Sequence, residues 1–193
     1  MSETTVSEEV IRQEVRDNLP WYAVYLFGTR QKSVADFFDE NRIDSFYPQQ
    51  YVYFEKDGQR HRELRPVVSN LIFVKCEDDN TRLLKLLEEM PFKHHVFRKT
   101  DSKTEYYEIP AAQMAEFKRM CNPEIELRKY VSEEEARMKP GTEVYVKYGP
   151  LKGLTGRLVR SNKKYYLLKE MPGIGIQLKV ARWCCVPVGK DEG

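Results

Sequence analysis

Long apolar runs are missing from this 193-residue chain: none approaches the roughly 18 residues needed to span a bilayer. No transmembrane helix is expected. The first twenty residues are acidic and polar and lack the basic start and apolar stretch of a secretory leader, so a cytoplasmic protein is expected. Histidine is scarce, at three residues. His94 and His95 are adjacent and point apart, which does not make the i, i+4 pair of a helical zinc site, so no metal role is expected. The four cysteines, Cys76, Cys121, Cys184 and Cys185, show no C-x-x-C spacing, and reduced structural thiols are expected. No phosphate-binding glycine loop, Ser-His-Asp set or paired-carboxylate motif is recognisable, so catalysis has no candidate and no cofactor is expected.

What is present reads as a folded protein of ordinary composition, 41% apolar and 32% charged, long enough for one medium and one small domain. The formal charge of +2 conceals an asymmetry. Residues 21–121 carry 16 Lys+Arg against 16 Asp+Glu, whereas residues 141–188 carry 9 against 2. That basic C-terminal stretch suits nucleic acid or an RNA-rich assembly, with plain solubility as the competing explanation.

Residues 1–20 form an arm, read either as a helix after Thr5 with Glu8 completing a capping box or as a loose segment. The aromatic and β-branched run 21–27 predicts a buried strand, and 29–41, with Val34, Phe37 and Phe38 at helical spacing, an amphipathic helix. Strands follow at 43–47 and 51–54, then a hairpin turn at Asp57 and Gly58 with its far arm at 59–65. On 51–54 the aromatic residues suit core packing better than base stacking. Residues 70–76 give the strongest central-strand signal. A helix from about Asp79 buries Leu83, Leu84, Leu86, Leu87 and Met90 and stops at Pro91. A second hairpin is predicted over 96–109 and a third helix after Pro110, with Met114, Phe117 and Met120 inward. Residues 21–121 therefore read as an α+β domain, helices on an antiparallel sheet.

Residues 122–140 change composition and read as a linker, with a short helix near 132–136. Residues 141–188, punctuated by Gly149, Pro150, Gly153, Gly156, Pro172, Gly173 and Gly175, predict a small β-barrel, and 189–193 a tail. In the segment 141–159, GTEVYVKYGPLKGLTGRLV, Val144 and Val146 point inward and Gly149-Pro150 turns the chain. Gly153 and Gly156 permit conformations or approaches that a side chain would block.

That segment resembles the KOW motif. Upstream, Trp21-Tyr22-Ala23-Val24-Tyr25, the helix carrying Val34, the strand end Phe46-Tyr47-Pro48, the strand leading to Val74, and Ile109-Pro110 with Met114 and Phe117 resemble, in order and spacing, the N-terminal domain of NusG-type transcription factors. The resemblance covers about 21–188 and implies a NusG N-terminal-like antiparallel sheet with flanking helices, followed by an SH3-like KOW barrel. The run PVVSNLIFV at 66–74 looks closest to the specialised UpxY-type paralogues, antiterminators of surface-polysaccharide operons. Ser69, Asn70 and Leu71 stand where housekeeping NusG proteins usually carry Pro-Gly-Tyr.

The resemblance implies a non-enzymatic monomer that binds RNA polymerase. By position, an apolar depression for the clamp helices of the largest subunit falls on Tyr25, Val68, Leu71 and Phe73, with ordinary core as the alternative. Contact with the polymerase gate loop falls on Asn80, Thr81 and Arg82, with simple helix capping as the alternative. Leu151, Met171 and Ile174 fall at the KOW turns that hold a ribosomal protein or termination factor, or else close the barrel core. Arg30, Lys32, Arg60, His61, Arg62 and Arg65 are candidates for phosphate contacts with non-template DNA or upstream duplex, or are solvated surface charge. Two further functions stay open: a housekeeping NusG-like factor, and a ribosome-associated KOW RNA-binding protein.

Overall fold

The computed structural model describes residues 17–28, 30–125 and 128–189. The helix expected after Thr5 and most of the expected tail lie outside the described residues. The chain divides into two compact units, one ending at Lys118 and one starting at Arg119.

In the first unit, β1 (Trp21–Leu26) is the centre of the main sheet. β5 (Leu71–Lys75) lies antiparallel along one side, with Leu71 opposite Tyr25 and Phe73 opposite Ala23. β2 (Ser45–Phe46) continues the sheet beyond β5. On the other side β6 (His94–Val96) pairs with the end of β1 and β7 (Glu108–Ile109) with its start. The predicted 96–109 hairpin folds back through the Arg98–Tyr106 bridge, yet its arms pair with β1 and not with each other.

Strand alternation sends Tyr22, Val24, Leu26, Ile72 and Val74 to one face. There α1 (Gln31–Glu40) and α2 (Thr81–Glu89) meet them with Val34, Phe38, Leu83 and Leu87, the residues that recur at helical spacing. The opposite face carries Trp21, Ala23, Phe73 and Ile109. It is covered by α3 (Ala111–Met120), whose Phe117 ring lies 5.5 Å from Phe73 and 6.2 Å from Phe46. Lys118 Nζ sits 3.9 Å above the Trp21 ring. With helices on both faces, β5 has no water-facing side, which explains its unbroken apolar run.

β3 (Gln49–Lys56) and β4 (Gln59–Pro66) form a separate two-stranded ribbon. Its turn residues Asp57 and Gly58 have φ of 53° and 72°, the mirror-image turn that matches strand twist. Every residue of β4 is exposed.

The second unit corrects two expectations. Residues 122–140 are more than a linker: beside the expected short helix, α4 (Glu133–Met138), they supply a strand, β8 (Arg128–Val131). The Ser132 hydroxyl caps α4 by accepting from the Glu135 amide at 3.1 Å, and three glutamates fill its first turn. β9 (Thr142–Val146), β10 (Thr155–Ser161), β11 (Lys164–Met171), β12 (Ile174–Val180) and β13 (Cys185–Pro187) join β8 in one antiparallel sheet. Its order is β13-β9-β10-β11-β12-β8, without a closing pair among the described residues. The expected small β-barrel is therefore not shown as a closed one, and β8 lies along the edge of β12. Val131, Ala136, Val159 and Leu168 form a cluster under α4. Gly156 is required by close approach: a Cβ there would stand 2.7 Å from the Leu168 carbonyl oxygen.

Candidate functional site

The face of the first sheet that α3 covers ends in an aromatic patch. Tyr25 is half-buried, and Phe27, two residues on and on the same side, is 56% exposed, its ring 5.2 Å from Tyr25. His95 stands opposite Tyr25 in register, exposed, with the half-buried Phe97 6.3 Å from it. The patch exists because β1 and β6 continue their alternation past the aromatic contacts that α3 makes at Phe73 and Phe46. Lys93 Nζ lies 5.3 Å from the Phe27 ring centre and adds a cation to the rim.

Two of the four residues expected in an apolar depression belong to the interior. Leu71 is 1% exposed and Phe73 fully buried, so neither offers a surface to a partner. Val68 is half-buried in the turn before β5. The sequence reading missed Phe27, treated there as the end of a buried strand, and Phe97; the signal was that both share the i, i+2 phase of Tyr25 and His95 respectively.

At the start of α2 the polar residues are engaged in their own fold. Asn80 accepts from the Glu77 amide at 3.0 Å through Oδ1 and donates to the Tyr22 hydroxyl at 3.3 Å through Nδ2. Thr81 is exposed and donates both its hydroxyl, at 2.6 Å, and its amide, at 3.0 Å, to Asp79 Oδ1. These bonds, the hydroxyl's first, hold the Asp79 carboxyl below the usual carboxylate range. Arg82 pairs with Glu77 and donates to the Asn41 carbonyl, tying α2 to the end of α1. Of the three, Thr81 and Arg82 are exposed and Asn80 is half-buried.

The ribbon carries its charge on aromatic rings. Arg62 lies 4.2 Å from the Tyr51 ring centre and Arg60 4.5 Å from that of Tyr53, so that one face alternates tyrosine and guanidinium. On the other face His61 stacks on Phe54 at 5.8 Å and Arg65 stands 6.0 Å from the same ring, also bonded to Glu63. Tyr53 and Phe54 are exposed, which corrects the core-packing expectation for this strand. The structure groups Arg60, His61, Arg62 and Arg65 on one ribbon. Arg30 and Lys32 are exposed at the start of α1, where Arg30 lines a cleft of about 410 Å³ with Phe27, Val34, Phe92 and Lys93.

The family model described as transcription termination factor nusG matches residues 19–118. The chain belongs to the NusG family. A search of curated proteins finds no match. NusG factors are non-enzymatic transcription factors of elongation and termination that bind RNA polymerase, and the NusG match ends where the first unit ends. The mixed α/β architecture of that unit agrees with a NusG N-terminal domain. Among the described residues, no helix is long and apolar enough to cross a membrane.

Beyond the NusG domain, Met171 and Ile174 are 1% and 2% exposed and face each other across the β11–β12 turn. They are corrected from partner anchors to core; the two-residue turn at Pro172 and Gly173 leaves them in the last cross-strand pair. Leu151 is half-buried after the Gly149-Pro150 turn. The most exposed rings of this unit were not anticipated: Trp183, in the short 3-10 helix Arg182–Cys184, is 74% exposed and stacks on Tyr148, 51% exposed. All four cysteines are buried and free. Burial pushes the thiols of Cys76 and Cys121 up to about 12, so both are poor nucleophiles.

Proposed function

We propose that this NusG-family chain is an elongation factor that holds RNA polymerase through the aromatic patch of Tyr25, Phe27, His95 and Phe97, with the half-buried Val68 as a further contact. The exposed Phe27 beside Tyr25 supports this reading most strongly. A surface aromatic cluster with a cationic rim is suited to receive apolar side chains of a helical partner such as the clamp helices. The exposed face of Thr81 is the contact toward the gate loop. A factor that bridges clamp and gate binds the closed polymerase better than the open one, and so shifts the population away from pausing. The exposed cations Arg30, Lys32, Arg60, His61, Arg62 and Arg65 lie along the non-template strand or upstream duplex.

The finer reading is processive antitermination of specific operons, such as surface-polysaccharide loci, as in the UpxY-type paralogues that the run PVVSNLIFV resembles. Domain 21–121 binds polymerase. The KOW-like unit from 141 to 188 recruits a ribosomal protein or other factor, with Leu151 as the remaining turn residue with accessible surface.

Retention of RNA polymerase on the immobilised full-length chain tests the proposal. Phe27→Ser is expected to lower retention tenfold or more, as loss of a central aromatic anchor does, with an unchanged melting temperature. Unchanged retention would reject the patch. Recovery of ribosomal particles without polymerase would favour the ribosome-associated alternative.

A further inference from the structure

We infer that the C-terminal unit binds single-stranded RNA on a platform made by Trp183 and Tyr148. The two rings lie 6.3 Å apart with 29° between their planes, and both are more than half exposed. Backbone pairing places them side by side. β9 and β13 are antiparallel with Val146 opposite Cys185, and the Lys147 amide donates to the Cys184 carbonyl at 2.7 Å. Tyr148 therefore leaves β9 at the point where Trp183 enters β13. Each is anchored by buried neighbours, Val146 on one side and Cys184 and Cys185 on the other. The platform is held by the sheet, so little ordering accompanies binding.

Charge selects the occupant. Lys147 precedes Tyr148, with its ammonium 5.8 Å from that ring's centre, and Arg182 precedes Trp183. From Lys147 to Val188 the sequence carries nine Lys and Arg and a single acidic residue, Glu170. That carboxylate is already paired with Arg157 at 3.2 Å and Arg137 at 3.3 Å. The surroundings thus attract a polyanion. A protein partner requires an apolar centre of many residues, but the aliphatic neighbours are withdrawn: Leu154 is 1% exposed and Leu151 half-buried. Two flat rings framed by cations match one or two unpaired bases with their phosphates. A transcription factor meets such a strand continuously in the emerging transcript, and unpaired RNA bases are the ones read by stacking. The inference is independent of the polymerase patch, because it rests on the other unit.

The test uses the full chain and a labelled oligouridylate, with oligothymidylate and duplex RNA alongside, read by anisotropy and tryptophan emission. The chain has two tryptophans, and Trp21 is 1% exposed, so quenching on binding reports Trp183. Oligouridylate is expected to bind and quench. Trp183→Ala and Tyr148→Ala are each expected to weaken binding about tenfold, within the range for losing one stacked base. Trp183→Phe should restore most of it, and Arg182→Ala should lower the salt slope by about 0.7. These side chains are largely exposed, so the variants remain folded, and polymerase retention stays unchanged in each. Absence of binding, unchanged affinity in Trp183→Ala, or equal affinity for duplex RNA would overturn the inference. Equal affinity for oligothymidylate would reassign the platform to displaced DNA.

Discussion

Phe117 stands edge-on to Phe73, ring centres 5.5 Å apart and planes at 64°. This contact makes the face of β5 that carries Leu71 and Phe73 an interior. Phe117→Ala removes most of the aromatic cover and is expected to cost about 3–5 kcal/mol, seen as a large fall in the denaturation midpoint. Leu71→Asp places a carboxylate where the side chain is 1% exposed and should unfold the unit, not selectively release a partner. A folded Leu71→Asp variant with lost polymerase binding would return Leu71 to the interface.

Much of the first unit is legible from pattern. Leu71, Ile72, Phe73 and Val74 announce a strand covered on both sides, Val34 and Phe38 announce the buried stripe of α1, and Asp57-Gly58 announces the ribbon turn. Pattern does not say which element supplies the second cover. A strand buried by a helix and a strand open to a partner read alike, so Leu71 and Phe73 look like interface and are core. The same limit conceals the patch, since Phe27 is exposed by the end of a sheet and not by its own neighbours in sequence. In the second unit, α4 has one buried residue, Ala136, and β8 has one, Val131. A strand as poor in apolar residues as β8 leaves no period to read, and its sheet pairing is decided by distant residues of β12, whereas α4 falls on the short helix read near 132–136.

Gly175 tests whether residues 122–140 are built into the second unit. A Cβ at that position would lie 2.5 Å from the Ala136 Cβ and 2.8 Å from Val131 Cγ2. Gly175→Ala is therefore expected to destabilise the unit by about 1–3 kcal/mol, through overpacking against α4 and β8. Thermal melting of the variant checks this; an unchanged midpoint would mean that the segment detaches as a linker.

Stability should fall in alkaline solution. Burial raises the Cys76 and Cys121 thiols from the ordinary thiol range to about 12, so the folded chain keeps protons that the unfolded chain releases. Their contribution is fully present below the unfolded pKa and is lost as pH rises from about 9 toward 12. The slope is at most about 1.4 kcal/mol per pH unit for each thiol. Urea midpoints across this range measure it. Cys76→Ala should flatten the alkaline slope of the first unit, and an unaltered slope would assign the loss to other groups.

The ribbon makes the sharpest claim about DNA. A two-stranded hairpin is marginal alone, and here the Tyr51–Arg62 and Tyr53–Arg60 contacts, each worth about 0.5–1 kcal/mol at an exposed site, help to hold it. The same arginines present their outer edges to solvent with the aromatic rings behind them. If they follow a phosphate backbone, Arg60→Ala with Arg62→Ala should weaken binding to assembled elongation complexes. The salt slope should fall by about 0.7 to 0.9 per lost phosphate contact. The loss should be similar on different templates, because phosphate contacts carry no sequence information. Lys163→Ala with Lys164→Ala, at the β10–β11 turn, should leave the slope unaltered. Replacement by lysine separates charge from stacking: Arg60→Lys with Arg62→Lys keeps both charges and gives up the planar contact with the rings. Recovery of the slope in the lysine variant would therefore identify phosphate binding as the role of these residues. An unchanged slope in the alanine variant, with polymerase affinity verified at low salt, would leave them the task of keeping the ribbon folded and soluble.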